Sequence, residues 1–138
     1  MIKRKAPKAR IPTEHQEQAA FVYWMKVQHP TIKFFAVPNG MWSRNFAQVQ
    51  KAKNEGLMNG VPDICIPRIP ALFDGNIWIE FKRLKGGRVS PEQKAWHEYL
   101  ELICRDYVIV AKGFDEAKEQ VGRFLKGTVS VPCVITEG

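Results

Sequence analysis

The clearest strand signal in the chain is IWIEFKR (residues 77–83), and VPDICI (residues 61–66) leads from a turn into a short strand at 63–66. Side chains of a strand alternate between the two faces of its sheet. In the longer stretch, three apolar residues therefore share one face, which we expect to be core, while Glu80 and Lys82 share the other face with Trp78. An acid and a base thus project together from a well-anchored strand, although such a pair is also typical of a solvated edge strand.

The shorter stretch adds a second carboxylate. Its two isoleucines form an apolar face, so Asp63 points the other way. If the strands, predicted at 63–66 and 77–83, pair as an antiparallel hairpin, Asp63 lies beside Glu80 and Lys82. Two carboxylates this close repel each other unless a cation neutralises them. Mg²⁺ fits such a site because it takes one or two carboxylates and keeps open positions for water and phosphate.

A first helix is predicted over residues 13–28, where a threonine can cap the start and a proline follows the end. Glu14 lies on one stripe of this helix with Phe21 and Met25, which we expect to be buried. An unpaired buried carboxylate is costly. Glu14 therefore either contributes to the site or turns into solvent at the helix end, where the helix dipole favours it.

The stretch SPEQ (residues 90–93) is predicted to open another helix, which runs to about Cys104. It combines a serine cap, a proline start and a glutamine in a capping box. Gln93 also precedes the apolar stripe of this helix, formed by Trp96, Leu100 and Ile103. Gln93 can therefore serve as a cap alone, or its amide can also orient a water, a carboxylate or a phosphate.

The remaining elements complete an order of helices and strands. They are a strand at 32–37, a turn at 38–40, a helix at 44–55 that Ser43 can cap, a strand at 107–111 and a helix at 114–125. The resulting order, α-β-α-β-β-α-β-α, is typical of an α/β fold with a mixed central β-sheet flanked by helices.

The composition fits one domain with a basic arm. The 138 residues are 45% hydrophobic, enough for a packed core, and the net charge is +7. We expect the folded domain to span residues 13–127 and residues 128–138 to form an extended tail. Residues 1–12 carry five cations and no acid. We expect them to be a flexible arm that either stays solvated or lies along a polyanion such as DNA.

Other classes of protein fit less well. No apolar run approaches a membrane span of roughly 20 residues, and the arm lacks the apolar face of an interfacial helix, so we expect no membrane partner. Signatures of the common RNA-binding modules are absent from the sequence. The three cysteines, Cys65, Cys104 and Cys133, are odd in number and far apart. This indicates reduced, buried thiols in a cytoplasm rather than disulfides or a zinc site.

Five motifs follow one another along the chain. They are Glu14-x-x-x-Gln18, Pro38-Asn39-Gly40, Gly56 followed by Gly60-Val61-Pro62-Asp63-Ile64, Glu80-Phe81-Lys82, and Ser90-Pro91-Glu92-Gln93-x-x-Trp96. Asp63 and the triplet Glu80-Phe81-Lys82 match the PD-(D/E)xK nuclease pattern, and Pro62 supplies its proline. Together the motifs resemble the VRR-NUC (virus-type replication-repair nuclease) family over residues 13 to about 112, most specifically in Gly-x-Pro-Asp and Ser-x-x-Gln-x-x-Trp.

This resemblance implies a restriction-endonuclease-like core whose active-site positions are Glu14, Asp63, Glu80, Lys82 and Gln93. Asp63, Glu80 and the Phe81 backbone carbonyl would hold Mg²⁺, or Mn²⁺ as a substitute. Glu14 would bind directly, through water or at a second ion. Lys82 would act as a general base, or it would orient the attacking water or stabilise charge on the phosphate.

The resemblance also implies a substrate and an assembly. The short chain is similar to stand-alone phage and bacterial members of the family, which resemble Holliday-junction resolvases. They imply a homodimer that cuts branched DNA, such as a four-way junction or a flap, in a bacterial or phage-infected cytoplasm. A C₂ pair of sites would suit a junction with two-fold symmetry.

Basic side chains flank these positions and are candidates for contacts with the DNA backbone, which position a duplex without specifying its sequence. They are Arg44, Lys51, Lys85, Arg88 and Lys94. Each can equally be a solvated cation, and Trp42 can be a packing residue or a stacking wedge. Two other functions stay open: a sequence-specific restriction-type endonuclease, and a non-catalytic DNA-binding module on the same scaffold.

Overall fold

The structure is a computed structural model that describes residues 6–38 and 45–126. Its helices are α1 (Glu14–Gln28), α2 (Phe46–Asn54), α3 (Pro91–Glu98) and α4 (Phe114–Leu125), and a π-helical turn, Tyr99–Ile103, continues α3. Its strands are β1 (Phe35–Ala36), β2 (Ile64–Ile66), β3 (Ile77–Lys82) and β4 (Tyr107–Lys112). The predicted order of helices and strands is confirmed. None of the described helices is long and apolar enough to cross a membrane.

The strands form one mixed sheet in the order β1-β2-β3-β4. β2 pairs antiparallel with both β1 and β3, and Ile64 lies opposite Ile79. β3 pairs parallel with β4, and Ile79 also lies beside Ile109. The predicted antiparallel hairpin of β2 and β3 is therefore present. Because β3 has a strand on each side, it is a central strand, not a solvated edge.

The core lies on the sheet face that α1 and α4 cover. Alternate residues of β2, β3 and β4 point into it, and the ring centroid of Phe21 from α1 lies 5.6 Å from that of Phe81. Met25, one helical turn after Phe21, is also fully buried, as its stripe on α1 predicts. α3 and the π-helical turn lie over the opposite face, where α3 contacts the polar side chains of β3. Both faces of β3 are consequently covered.

A buried acid in α1 joins the two helices of the core face. Glu17 is 8% exposed, and its carboxylate accepts a hydrogen bond from the backbone N–H of Phe114, the first residue of α4. The residue before α4 is Gly113, which has no side chain to cap the helix. Gly113 in turn donates its backbone N–H to the carbonyl of Lys82 at 3.1 Å. Glu17 therefore fixes the starts of α1 and α4 beside the end of β3.

The structure corrects two element boundaries. The strand predicted at 32–37 is formed only by Phe35–Ala36, because its partner β2 has only three residues. The helix predicted to start at 44 starts at Phe46, and its cap is Asn45, which exchanges two hydrogen bonds with Gln48. Ser43, Arg44, Trp42, most of the 38–40 turn and the 128–138 tail lie outside the described residues.

The third helix departs from a regular α-helix. The π-helical turn begins after Glu98 and holds one more residue per hydrogen-bonded turn than an α-helix. The turn therefore rotates the residues that follow it. Leu100 is buried as predicted and Trp96 is half-buried, but Ile103 is 68% exposed, so the prediction that Ile103 belongs to the buried stripe was wrong. Cys65 is buried as predicted, whereas Cys104, which follows this turn, is exposed, so its predicted burial was wrong.

Candidate active site

Asp63 is held at the start of β2 by its own backbone and side chain. Its N–H donates to the carbonyl of Ile79 at 2.9 Å, and its carbonyl accepts from Val37 at 2.8 Å. Its carboxylate Oδ2 accepts the backbone N–H of Phe81 at 2.7 Å, so the side chain extends the pairing of β2 with β3. This contact places the carboxylate of Asp63 against the peptide that follows Glu80.

Glu80 is the most buried charged residue of the site, with 2% exposure. Its Oε1 accepts a short hydrogen bond from the amide of Gln93 and lies 3.4 Å from Lys82 Nζ. Its Oε2 has no hydrogen-bond partner among the described residues. Burial, followed by the negative charge of Asp63, raises the pKa of Glu80 to about 8, although Lys82 opposes the rise. The carboxyl thus lacks a compensating cation at its second oxygen.

Gln93 links the two charged residues of β3. Its Oε1 accepts from Lys82 Nζ at 2.8 Å and from the backbone N–H of Ser90 at 2.9 Å, while its Nε2 donates to Glu80. Ser90 Oγ in turn accepts a hydrogen bond from the backbone N–H of Gln93, which completes the capping box. The sequence left open whether Gln93 serves only as a cap or also contacts the candidate site. In the structure its side-chain amide does both. Lys82 itself is buried, with 6% exposure.

The approach of α3 to the site depends on a glycine. Gly60 has a φ of +92°, which side-chain-bearing residues rarely adopt, and a Cβ there would lie 2.5 Å from the backbone carbon of Glu92. The loop before Asp63 therefore packs directly on the first turn of α3. A cavity of about 380 Å³ remains beside this contact, lined in part by Asn59, Ser90 and Gln93.

Comparisons with known proteins were made for the whole chain. No protein-family model matches it, and no curated protein matches it. A solved structure described as a VRR_NUC domain protein superposes with a TM-score of 0.66 at 23% sequence identity, over 86% of this chain and 92% of the other. The chain has the VRR_NUC fold. The predicted restriction-endonuclease-like α/β fold with a mixed sheet is thus confirmed.

Within this VRR_NUC fold, Asp63, Glu80, Lys82 and Gln93 come together, and Glu14 lies at the edge. Glu14 is exposed in the first turn of α1. Its negative charge is the smallest of the causes that raise the pKa of Glu80. Glu14 is therefore close enough to act electrostatically on the site, and its side chain turns towards solvent rather than into the core.

The VRR_NUC fold also brings in a residue that the sequence analysis did not single out. His97 is buried in α3, one turn after Gln93, and its Nε2 has no hydrogen-bond partner in the described part of the chain. Burial and then the positive charge of Lys82 lower its pKa. The i, i+4 spacing from Gln93 was the available signal, since it places both side chains on one helix face.

The candidate DNA contacts are surface residues where the structure describes them. Lys85, Arg88 and Lys94 are exposed. Lys51 is exposed on α2, 3.9 Å from Glu55 one turn away. Arg44 lies outside the described residues. Their positions permit contact with a polyanion and equally permit simple solvation.

The site offers carboxylate oxygens, the ligands that a hard metal ion such as Mg²⁺ prefers. No group of three or more His, Cys, Asp or Glu side chains converges closely enough to hold an ion within residues 6–38 and 45–126. Two carboxylates do converge, and one of them, that of Asp63, accepts the backbone N–H of Phe81. This set fits Mg²⁺, which needs only one or two carboxylates and fills its other positions with water and phosphate. The unpartnered Oε2 of Glu80 also fits, because a buried acceptor of this kind needs a cation or a proton.

Proposed function

We propose that this protein is a divalent-metal-dependent nuclease that hydrolyses phosphodiester bonds in DNA. The observation that carries the proposal is the pair of Asp63 and Glu80, with the buried Lys82 3.4 Å from Glu80. Oε2 of Glu80 has no hydrogen-bond partner in the part of the chain that the structure describes. Pairs of acids with a nearby cation are suited to binding a hard metal ion and a phosphate together. The VRR_NUC fold supports the same reading by analogy.

Asp63, Glu80 and the backbone carbonyl of Phe81 are the proposed ligands for Mg²⁺, with Mn²⁺ as a substitute. When bound, the ion supplies a Lewis acid at the scissile phosphate and a water of lowered pKa. Glu14, at the exposed edge, is proposed to bind through water or at a second ion. Loss of the Glu80 proton is required before the carboxylate can act as a ligand.

Lys82 is proposed to stabilise the negative charge that develops on the phosphate. Its Nζ donates to Gln93 and lies beside Glu80, so its ammonium is already oriented before substrate arrives. An orienting contact of this kind favours electrostatic stabilisation over a role as general base. Gln93 would then act by positioning Lys82.

The proposed substrate is branched DNA, in the manner of a Holliday-junction resolvase, and the proposed assembly is a homodimer. A C₂ dimer carries two equivalent sites, which match the two equivalent strands of a four-way junction. The competing proposal within this fold is a restriction-type endonuclease that cuts linear duplex at a fixed sequence. A non-catalytic module is disfavoured because a surface for phosphate gains nothing from buried acids without a cation.

The test is a cleavage assay on labelled four-way junctions, flaps and linear duplexes, with Mg²⁺, Mn²⁺ or EDTA. Glu80→Gln and Lys82→Ala are compared with wild type and with Glu98→Gln, an exposed acid of α3 that serves as the control. We expect cleavage by wild type and the control with either metal, and a loss of at least about 100-fold in both site variants. Cleavage in EDTA, or absence of cleavage of all substrates, would contradict the nuclease proposal. Sequence-fixed cuts in linear duplex would favour the restriction-type alternative.

A further inference from the structure

A basic groove lies between the N-terminal segment and the end of β3. It has a volume of about 890 Å³, and its walls include Lys8, Arg10 and Arg83 on the basic side and Thr13 and Gln16 at the start of α1. None of the described residues that line this cavity is acidic. The described part of the arm therefore borders a concave surface together with a residue of the domain. We call this cavity the arm groove.

The three cations of the arm groove are free to meet a ligand. Lys8, Arg10 and Arg83 are all exposed, and none of them forms an ion pair with another described residue. Three like charges facing one cavity repel each other, which weakens the unliganded arrangement slightly and favours a polyanion that neutralises them. An anion with several regularly spaced charges suits three separate cations better than a single small ion.

Two residues of the arm groove are chain neighbours of candidate active-site residues. Arg83 directly follows Lys82 in the chain, and consecutive Cα atoms are about 3.8 Å apart. On the other wall, Thr13 directly precedes Glu14, whose charge acts on Glu80. A strand whose scissile phosphate lies at the two acids would therefore have its neighbouring phosphates within reach of this groove.

We propose that the arm groove binds the sugar–phosphate backbone of the DNA strand that passes through the active site, so that the N-terminal arm is a substrate-binding element. The proposal rests on the proposed nuclease function for the identity of the polyanion. Lys8, Arg10 and Arg83 contact phosphates beside the scissile one. Such contacts hold the strand in register and carry no sequence information.

The test measures binding without cleavage. The wild-type full-length protein in EDTA is titrated against a fluorescein-labelled four-way junction and a labelled duplex, and fluorescence anisotropy is followed at several salt concentrations. In the variant Lys8→Ala/Arg10→Ala/Arg83→Ala we expect Kd to rise at least about tenfold. We also expect the slope of log K against log[salt] to fall by about 2 to 3, because each phosphate contact contributes about 0.9.

The matched control removes three charges elsewhere on the surface. Lys26, Lys118 and Lys126 are exposed, and the last two line a separate cavity with Trp24 and His29 near the ends of α1 and α4. This cavity is about 20 Å from the arm groove along α1, since 13 residues separate Gln16 from His29 at 1.5 Å each. We expect the triple alanine variant of these lysines to keep at least half of the wild-type affinity and salt slope.

The outcomes separate the two proposals. Equal losses of affinity in both triple variants would mean that only net charge matters. Unchanged affinity in the arm-groove variant would mean that the arm does not contact DNA. Either result overturns the inference. Thermal unfolding within about 2 °C of wild type checks that the variants fold. If only the arm-groove variant loses binding, and the wild-type protein cleaves no DNA, the arm-groove proposal is supported and the nuclease proposal is contradicted.

Discussion

At the scale of single residues, the chemistry of the site depends on how Glu80 is enclosed. Three groups surround its carboxyl: the like charge of Asp63, the ammonium of Lys82 and the amide of Gln93. Burial and the like charge outweigh the ammonium, so the pKa of Glu80 rises to about 8. The metal-free protein therefore keeps at neutral pH a proton that an unfolded chain releases.

This retained proton predicts a pH dependence of stability. Between the ordinary pKa of 4.5 and about 8, the folded state binds one more proton at Glu80 than the unfolded state. The free energy of unfolding in EDTA should therefore fall as the pH rises, by at most about 1.4 kcal/mol per pH unit. Urea unfolding between pH 6.5 and 8 measures this slope, because His29 and His97, whose pKa values are lowered from 6.5, contribute with the opposite sign below that range.

The control for this measurement is Glu80→Gln, which replaces the carboxyl by an amide that does not titrate. We expect its stability to be nearly independent of pH over the same range. An identical slope in wild type and variant would assign the dependence to another group and contradict the raised pKa of Glu80.

The residues in and around the candidate site differ in how far the sequence could predict them. Asp63, Glu80 and Lys82 were predictable because strand alternation and one hairpin fix which way they point. Glu17 and His97 were not, because their burial depends on where a distant helix packs: Glu17 contacts Phe114, which is far away in the sequence. Local periodicity carries no information on such long-range contacts.

At the scale of elements, the site depends on two helices docked at the end of β3. α3 is held there by close backbone approach at Gly60, and the start of α4 is held by Glu17. The sequence predicted α3 through its capping box and apolar spacing, and it predicted α4 without a cap. It did not predict how they dock or where α3 changes to a π-helical turn, because these features depend on tertiary packing.

Gly60→Ala tests the docking of α3. Gly56 is the matched control: its φ of +106° is equally unfavourable for alanine, but a Cβ there would lie more than 4 Å from the other described residues. We expect Gly56→Ala to lower the free energy of unfolding by about 1 kcal/mol, and Gly60→Ala by roughly 2 kcal/mol more because of the contact with Glu92. Chemical denaturation measures both, and equal losses would show that α3 can move away at little cost.

Glu17→Ala tests the contact between α1 and α4. It leaves the N–H of Phe114 without its acceptor, so we expect a loss of about 1 to 2 kcal/mol in the free energy of unfolding. Glu119→Ala removes an exposed acid of α4 that pairs with Arg123, and should cost less than about 0.5 kcal/mol. Thermal unfolding of the two variants side by side gives the comparison. A loss of stability in Glu17→Ala no larger than that in Glu119→Ala would show that water replaces the Glu17 carboxylate as the acceptor for the Phe114 N–H.

At the scale of the whole molecule, the proposed metal site joins two strands at the centre of the sheet. Asp63 lies at the start of β2 and Glu80 in β3, so only the folded sheet brings the two acids together. An ion that binds the folded state alone stabilises all of it, by about 2.7 kcal/mol at 100 times its Kd. We therefore expect the proposed metal binding to be coupled to global unfolding.

Addition of Mg²⁺ to the metal-free protein should raise the Tm of wild type and of Glu98→Gln, and it should leave the Tm of Glu80→Gln unchanged. Differential scanning calorimetry at pH 8 measures this, because the Glu80 proton competes least with the ion at high pH. A rise of the same size in all three proteins would reflect a general salt effect and count against the site.

The π-helical turn has a consequence for chain length. It sets the orientation of the residues that lead to Asp106, whose carboxylate accepts hydrogen bonds from the indole of Trp78 and from the backbone and side chain of Asn76. Deleting one residue within Tyr99–Ile103 would let the helix close as a regular α-helix and turn Asp106 away from these donors. An insertion or deletion of a single residue is therefore tolerated less well in this segment than a change of residue type, so the segment's length is under tighter constraint than its composition.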